Sequence, residues 1–200
     1  FVMWTLSNEL GGVENLSLIP GTMGAAPMQN IGAYGVELES VFHSLQAVEI
    51  GTGKVRVFLK EECKFGYRDS IFKKEVKDKY VITGVNIQLS RDHKLNTTYG
   101  VIQDVLKERG VEHPTIHDVS NAVISIRQSK LPDPAVIGNA GSFFKNPVIP
   151  TDQFDKIKVT LPTLPGYPAE EGLVKVPAGW LIEQSGWKGY RKGNAGCYEK

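Results

Sequence analysis

The chain has 200 residues, of which 41% are hydrophobic and 22% charged, with a formal net charge of +1. These values are typical of a folded globular protein, exclude a disordered one, and argue against a surface built for bulk nucleic-acid binding. No apolar run reaches the roughly 18–20 residues that a membrane helix needs, and no signal peptide opens the chain.

Only two cysteines are present, Cys63 and Cys197, and they form no CxxC motif. Two cysteines that lie far apart in the sequence give no disulfide framework. The simpler interpretation is that both are inert thiols in a reducing compartment. We therefore expect a soluble, cytoplasmic protein.

The first half of the chain predicts mostly strands. Residues 1–7 resemble the interior of a helix that approaches a turn, and a Gly-rich stretch with apolar residues follows, which is typical of close backbone packing. Strands at 42–50 and 54–59 flank Gly51-Thr52-Gly53, a hairpin signal, with Val55, Val57 and Leu59 in alternation. Residues 80–89 alternate in the same way and predict a third strand.

The second half begins with a helix signal. Thr115 followed three residues later by Asp118 is typical of a helix start, and apolar residues at helical spacing continue to Ile126. Prolines at 132 and 134 should end this helix, so we divide the chain into domains at 1–131 and 132–200. Beyond it we predict a short Gly/Asn turn, a strand at 142–148, a Pro-rich loop that continues through 166–168, a short strand near Val174 and a helix at 178–184. Helices and strands without a βαβ rhythm favour an α+β fold.

Three common motifs can be set aside. Gly51-Thr52-Gly53-Lys54 lacks the spacing of a phosphate-binding loop, and Ser142 does not lie in a GxSxG elbow. His113 and His117 are four residues apart, but Pro114 intervenes and no third zinc ligand is evident. No metal is predicted.

Three polar clusters remain. The turn at 65–70 carries Tyr67, Arg68 and Asp69, where Arg68 could bind an anionic group or simply pair with Asp69. A second cluster, at the end of the helix, could hold a diphosphate or merely complement the helix dipole. Its members are Arg127, Lys130, Asp133, Lys145 and Asn146. The third, residues 138–147, packs two glycines, two asparagines and Ser142 against two aromatics, and could present a hydroxyl to a substrate. The residues alone do not name a reaction.

Four strings resemble the UDP-N-acetylenolpyruvoylglucosamine reductase (MurB) family. They run in family order at 14–35, 65–73, 130–134 and 138–147, and together with the residues between them they cover nearly the whole chain. Tyr99, in Thr98-Tyr99-Gly100, matches the tyrosine of a substrate-covering loop and indicates the longer of the two family types. The resemblance implies part of a FAD-binding domain at 1–131 and part of a substrate-binding domain at 132–200.

The resemblance also implies a reaction in two halves. NADPH reduces a bound FAD, and the flavin then delivers hydride to C3 of the enolpyruvyl group of UDP-N-acetylglucosamine enolpyruvate, while a proton reaches C2. Ser142 matches the general acid that protonates C2, and Arg68 matches the arginine that stabilises the enolate-like charge. The protein is expected to be monomeric, with no nucleic-acid or membrane partner.

The remaining matches concern binding. Residues matching contacts to the substrate, with the last two weaker, are Tyr99, Lys130, Asn146, Tyr167, Arg127 and Tyr34. Residues matching the flavin-lining stretch are Gly21, Thr22, Gly24, Ala25, Asn30 and Gly32.

Two family features have no counterpart in the chain. These are a Gly-rich flavin-phosphate loop before Phe1 and a glutamate beyond Lys200 that assists protonation, so the resemblance implies a protein cut at both ends. We expect the chain by itself to be inactive and its retention of the flavin to be compromised. The alternative to an oxidoreductase portion is a module that binds the UDP-sugar without redox chemistry. A flavoenzyme of the same fold with another substrate is a third hypothesis, disfavoured by the substrate-side strings at 130–134 and 138–147.

Overall fold

The computed structural model describes all residues, 1–200, and divides them into two compact units, Phe1–Ser129 and Lys130–Lys200. None of the helices is long and apolar enough to cross a bilayer.

The first unit contains four α-helices and five strands. In chain order they are α1 (Val2–Ser7), β1 (Gly32–Ala33), β2 (Val36–Glu37), β3 (Phe42–Glu49), β4 (Val55–Leu59), α2 (Lys60–Cys63), β5 (Tyr80–Ile87), α3 (Gly100–Glu108) and α4 (Ile116–Lys130), whose last residue is counted with the second unit. Short 3₁₀ helices lie at Glu14–Leu16, Met23–Gln29, Leu38–Ser40 and Ile71–Lys73.

A three-stranded antiparallel sheet in the order β4-β3-β5 organises this unit. β3 and β4 form the predicted hairpin, in which Val48 pairs with Val55, and β5 is the predicted third strand. One face of the sheet buries Leu45 and Phe58 in the main core, as the two-residue period of a strand requires. The apolar residues of β4 that alternate with Phe58 lie on the opposite face and are exposed; they are Val55, Val57 and Leu59.

A second core lies between α3 and α4. Ile102 and Leu106 of α3 pack with Val123 and Ile126 of α4, and all four are buried. The start of α4 follows the predicted pattern, because the backbone N–H of Thr115 donates to Oδ2 of Asp118 at 2.8 Å and the backbone N–H of Asp118 donates to Oγ1 of Thr115 at 3.3 Å. This reciprocal pair satisfies amides that have no partner within the helix.

The second unit is smaller and has a smaller core. Its elements are β6 (Val148–Pro150), α5 (Thr151–Thr160), β7 (Tyr167–Pro168), β8 (Leu173–Lys175), α6 (Ala178–Gln184), β9 (Arg191–Lys192) and β10 (Ala195–Gly196). The sheet order is β6-β8-β7, with β9 and β10 as a separate hairpin. Phe154, Leu164 and Val176 form the buried core. Gly166 is required beside it, since a Cβ there would lie 2.6 Å from Cζ of Phe154.

The α+β fold with antiparallel sheets is confirmed, as are the opening helix, the three strands of the central sheet, the strand near Val174 and the helix at 178–184. The predicted strand at 142–148 is wrong, because only Val148 belongs to a strand there, as the first residue of β6. Just before this stretch, the Asn139 side chain donates to the carbonyl oxygen of Ile137 and accepts from the N–H of Gly141. Such local bonds compete with the backbone hydrogen bonds between paired strands. The predicted loop at 166–168 contains the short strand β7, and helices α3 and α5 were not predicted.

Candidate functional site

Arg68 lies in a hydrogen-bonded network of the first unit. Its Nη1 donates to Oε1 of Glu37 at 3.3 Å, and its Nη2 donates to the carbonyl oxygen of Gly32 at 2.5 Å. The side chain is 28% exposed. A guanidinium has five N–H donors, so with two used, three remain for a ligand. Such a group, partly buried and held at two points, suits recognition of a carboxylate.

The ion pair of Arg68 that the structure shows is with Glu37. Asp69 instead forms an ion pair with Lys74 and accepts a hydrogen bond from the backbone N–H of Ser70. Arg68 has a φ of 55°, in the left-handed region, and its guanidinium lies over the ring of Tyr67 at 5.1 Å from the centroid. The partner of Arg68 is therefore 31 residues away in the sequence.

Asn30 connects this network to the rest of the unit. Its Nδ2 donates to Oε2 of Glu37 at 2.9 Å and to the carbonyl oxygen of Gly66 at 3.2 Å. Its Oδ1 accepts from the backbone N–H of Glu39 at 2.9 Å. The side chain is completely buried, so Asn30, which the resemblance assigns to the flavin site, has its polar atoms bonded inside the protein.

Tyr34, Tyr99 and Arg127, three of the residues expected at the substrate, lie together in the first unit. The rings of Tyr34 and Tyr99 meet edge to face with centroids 5.5 Å apart. Burial raises the pKa of Tyr34 above its ordinary value, and the nearby Arg127 opposes this rise by its charge and a hydrogen bond. The Nε of Arg127 is buried and has no hydrogen-bond partner. A buried donor left unpaired is costly, so this arginine is suited to an additional acceptor.

Asn15 holds the backbone beside these tyrosines, and the sequence analysis did not single it out. Its Nδ2 donates to the carbonyl oxygens of Tyr34 and Asn96, each at 2.9 Å. Asn96 donates in turn to the carbonyl oxygen of Gly35 and accepts from the hydroxyl and the backbone N–H of Thr98, next to Tyr99. Asn15 is completely buried, and its Oδ1 has no partner. In the sequence Asn15 stands between Val13 and Leu16, two apolar residues that are buried, and a polar side chain in such a position generally has hydrogen-bond partners inside the protein.

Gly21, Thr22 and Ala25, at the start of the stretch expected to line the flavin, are exposed to solvent. Gly21 has a φ of 115°, and no atom lies within 4 Å of the position that a Cβ would take there. Thr22 and Ala25 are exposed, and Gly24 is half-buried. Exposed backbone without side-chain obstruction permits close approach of a flat ring. The exposed residues among them leave room for a flavin, while at Gly32 a Cβ would collide with Arg68.

Of the site residues expected in the second unit, Ser142 and Asn146 lie in the segment before β6. Ser142 is exposed, and its hydroxyl has no hydrogen-bond partner. The adjacent rings of Phe143 and Phe144 are 85% and 62% exposed. Asn146 accepts a hydrogen bond from the backbone N–H of Ala178 at 2.9 Å, which fixes the start of α6 and leaves the amide NH₂ for a ligand. Lys130 is exposed, and Tyr167, in β7, is 53% exposed.

The remaining reactive side chains have ordinary surroundings. Burial raises the pKa of the Cys63 thiol to about 12, with the carboxylates of Glu62 and Glu61 adding to the rise, so the thiol is inert. Nε2 of His117 lies 3.1 Å from Oε1 of Glu9 in an exposed hydrogen bond. No group of three or more His, Cys, Asp or Glu side chains is arranged to hold a metal ion.

Comparisons with known proteins identify the class of the fold. The structure resembles the crystal structure of UDP-N-acetylenolpyruvylglucosamine reductase (MurB) from Thermus caldophilus, with a TM-score of 0.63 over 98% of this chain and 53% of that chain. At 23% identity this likeness establishes the fold alone. The chain is thus an α+β protein with the architecture of that reductase.

Sequence relatives define the family more closely. The family model described as "UDP-N-acetylenolpyruvoylglucosamine reductase, C-terminal domain" matches residues 133–200. The reductase of Pseudomonas savastanoi pv. phaseolicola is 56% identical over 199 residues, which are 100% of this chain and 58% of that protein. The reductase of Flavobacterium johnsoniae is 54% identical over 200 residues, which are 100% of this chain and 59% of that protein. The chain is therefore similar in sequence to UDP-N-acetylenolpyruvoylglucosamine reductases, and it spans somewhat under three fifths of the length of these relatives.

Proposed function

We propose that the chain is part of an oxidoreductase of peptidoglycan synthesis that uses NADPH and FAD to reduce UDP-N-acetylglucosamine enolpyruvate to UDP-N-acetylmuramate. The observation that carries this proposal is the Arg68 guanidinium, held at two points with three donors left, in a chain 56% identical to a protein named as that reductase. When bound, FAD would supply the redox chemistry, taking hydride from NADPH and passing it to C3 of the enolpyruvyl group.

Arg68 would act on the charge of the substrate. Hydride addition at C3 pushes electrons towards the carboxylate and gives an enolate-like group. A fixed guanidinium next to that carboxylate stabilises the developing charge without having to reorganise during the reaction. The remaining N–H donors of Arg68 fit this role.

Ser142 would complete the reaction by donating its hydroxyl proton to C2. A neutral hydroxyl is a weak acid, so it is useful only against a strongly basic carbon and when it is well positioned. Its exposed hydroxyl, which has no partner inside the protein, fits a group that bonds to a ligand. The general-acid contribution is typically about 10²–10⁴-fold.

The nucleotide end of the substrate would bind through cations, amides and aromatic rings. Arg127, with its orphaned Nε, and the paired rings of Tyr34 and Tyr99 are suited to the diphosphate region. Lys130, Asn146 and Tyr167 of the second unit would add contacts to the diphosphate and the nucleotide. We expect a monomeric, cytoplasmic protein.

The test is a hybrid reductase, in which this chain replaces the matching 199 residues of the Pseudomonas savastanoi relative. The measurement is NADPH oxidation that depends on UDP-N-acetylglucosamine enolpyruvate. An active hybrid that loses about 10²–10⁴-fold in turnover on Ser142→Ala supports the proposal. A hybrid that binds FAD and the UDP-sugar but oxidises no NADPH would support the alternative, a binding module without redox activity.

The 200-residue chain is tested separately. Calorimetry with UDP-N-acetylglucosamine enolpyruvate and an absorption spectrum after incubation with FAD measure what it binds alone. We expect no substrate-dependent NADPH oxidation from the chain alone, and turnover by it would contradict this part of the proposal.

A further inference from the structure

Arg68 has one carboxylate partner, Glu37, and that carboxylate is itself held from behind. Oε1 of Glu37 accepts from Nη1 of Arg68 at 3.3 Å, while Oε2 accepts from Nδ2 of Asn30 at 2.9 Å. Each oxygen therefore has a separate donor. The three residues form a chain of contacts from the buried interior, at Asn30, to the partly exposed guanidinium.

We propose that Glu37, oriented by Asn30, is a positioning residue that fixes the Arg68 guanidinium so that its remaining donors are presented to a carboxylate-bearing ligand. The inference rests on the proposed function, because the ligand is the enolpyruvyl carboxylate. Glu37 touches neither substrate nor cofactor in this proposal and acts through Arg68 alone.

The need for such a residue follows from the arginine side chain. A long side chain with several rotatable bonds loses conformational entropy when it is fixed, and a ligand that has to fix it binds more weakly. Two contacts already made in the protein, to Glu37 and to the carbonyl of Gly32, remove that cost beforehand. A displacement of the guanidinium by about 1 Å would be enough to lower turnover by about 10²-fold.

Stability is a poor explanation for the pair. The side chains of Arg68 and Glu37 are 28% and 36% exposed, and ion pairs with such access to water contribute little to folding. The contact with Asn30 is different, because it joins the pair to a completely buried side chain. The arrangement thus fixes geometry more than it stabilises the fold.

The substitution Glu37→Gln tests this arrangement with minimal change in shape. A glutamine has one oxygen and one NH₂ group, so one of its ends would place a donor against a donor, either at Arg68 or at Asn30. Asn30 cannot rotate to compensate without losing two bonds, since its Oδ1 accepts from the N–H of Glu39 and its Nδ2 also donates to the carbonyl of Gly66. Only one of the two contacts survives in the variant.

The experiment uses the hybrid reductase. Glu37→Gln is compared with Glu39→Gln, which makes the same charge change two residues away, where only the backbone contributes to the network. We expect Glu37→Gln to lower kcat/KM by about 10–100-fold, up to the loss that a misplaced contact group causes, while Glu39→Gln changes it by less than about twofold, as surface substitutions generally do. Circular dichroism and thermal unfolding of both variants verify that the fold is intact.

A ligand comparison separates positioning from a general structural effect. The dissociation constants of UDP-N-acetylglucosamine enolpyruvate and of UDP-N-acetylglucosamine, which lacks the carboxylate, are measured on each variant. We expect Glu37→Gln to weaken the first about tenfold or more and to leave the second unchanged, since a disturbed carboxylate contact is missing from the second ligand. Equal weakening of both ligands, or a Glu37→Gln hybrid that matches Glu39→Gln, would overturn the inference.

A double-mutant cycle with Arg68→Lys gives a second readout. If Glu37 acts through Arg68, Glu37→Gln has a much smaller effect on kcat/KM when residue 68 is already lysine, whereas additive effects contradict the proposal. An unsubstituted hybrid without activity would instead be a failure of the proposed function, so the two failures are distinguishable.

Discussion

Gly32 lies so close to Arg68 that a Cβ atom added to it would be 2.8 Å from Nη1 of the guanidinium. The same Cβ would lie 2.8 Å from Cγ of Glu37 and 3.0 Å from the carbonyl oxygen of Val36, which belongs to the backbone and cannot rotate away. Gly32→Ala should therefore displace Arg68 or open the β1–β2 hairpin. We expect kcat/KM of the hybrid reductase to fall by about 10²-fold, with a loss of about 1–3 kcal/mol in the free energy of unfolding from overpacking.

Gly51→Ala is the control for this prediction. Gly51 lies in the turn between β3 and β4, and nothing lies within 4 Å of its Cβ position. Kinetic assays and denaturant unfolding of both variants are the measurements. If Gly32→Ala retained the activity of Gly51→Ala, close contact at Gly32 would not control Arg68.

Tyr34 provides a prediction about pH. Burial raises its pKa above the ordinary 10.0, and Arg127 lowers it by charge and by a hydrogen bond. Arg127→Met removes both opposing contributions, so the pKa of Tyr34 should rise further. Arg127→Lys retains a positive charge and should raise it less. The measurement is an NMR titration of the 200-residue chain with ¹³C-labelled tyrosine, assigned with Tyr34→Phe; a lower pKa in Arg127→Met would contradict the arrangement.

The raised pKa of Tyr34 also has a consequence for stability. A group that holds its proton more tightly in the folded state stabilises that state below its unfolded pKa, roughly 10 for tyrosine. This contribution is lost as the pH rises through the higher folded pKa. In Tyr34→Phe, the free energy of unfolding should therefore lack the decrease at alkaline pH that Tyr34 causes in the unsubstituted chain. Denaturant titrations of both proteins between about pH 8 and 11, around the tyrosine pKa, are the measurement.

Features with a local cause could be predicted from the sequence. Thr115 and Asp118 stand three residues apart, and the structure forms their reciprocal bonds at the start of α4. The glycines at 51 and 53 mark the β3–β4 turn for the same reason, since Gly53 has a φ of 68°. Such signals act within a few residues and do not depend on the rest of the fold.

Features that depend on residues far apart in the chain could not be predicted from the sequence. The partner of Arg68 is Glu37, and no local pattern distinguishes Glu37 from the adjacent Asp69 as that partner. Helix α5 contains several β-branched residues, so its intrinsic helix propensity is weak, and the burial of Phe154 against Leu164 and Val176 stabilises it. The strand predicted from Ser142 does not form, and the side chain of Asn139 just before it bonds to the backbone of Ile137 and Gly141, which composition does not reveal.

The start of α4 permits a stability prediction. Hydrogen bonds from the Thr115 side chain and backbone lower the pKa of Asp118. Thr115→Ala removes the side-chain contacts and should lower the free energy of unfolding by about 1 kcal/mol at neutral pH. Because a lowered carboxyl pKa stabilises the fold above the unfolded value of roughly 3.9, the difference should shrink as the pH falls through the folded pKa.

Gln128→Ala is the control for Thr115→Ala, since Gln128 is an exposed residue of the same helix. It should change the free energy of unfolding by less than about 0.5 kcal/mol. The free energy of unfolding of both variants is measured by urea titration at about pH 7 and about pH 3, where the Asp118 carboxyl is charged and increasingly protonated, respectively. An equal cost of Thr115→Ala at both values would mean that the Asp118 carboxylate is not involved.

The two cysteines should differ sharply in reactivity. Cys63 is buried and its pKa is raised to about 12, whereas Cys197 is exposed. At pH 8, a thiol with a pKa of about 12 is ionised to roughly one part in 10⁴ by simple titration arithmetic. Since the thiolate is the reacting form, iodoacetamide should add a single group to the native chain, at Cys197, and two groups in denaturant. Peptide mass spectrometry locates the label, and Cys197→Ser should abolish labelling of the native chain. If Cys63 in the native chain were modified at a rate comparable with Cys197, the core around Phe58 and Phe72 would open readily and the prediction would be wrong.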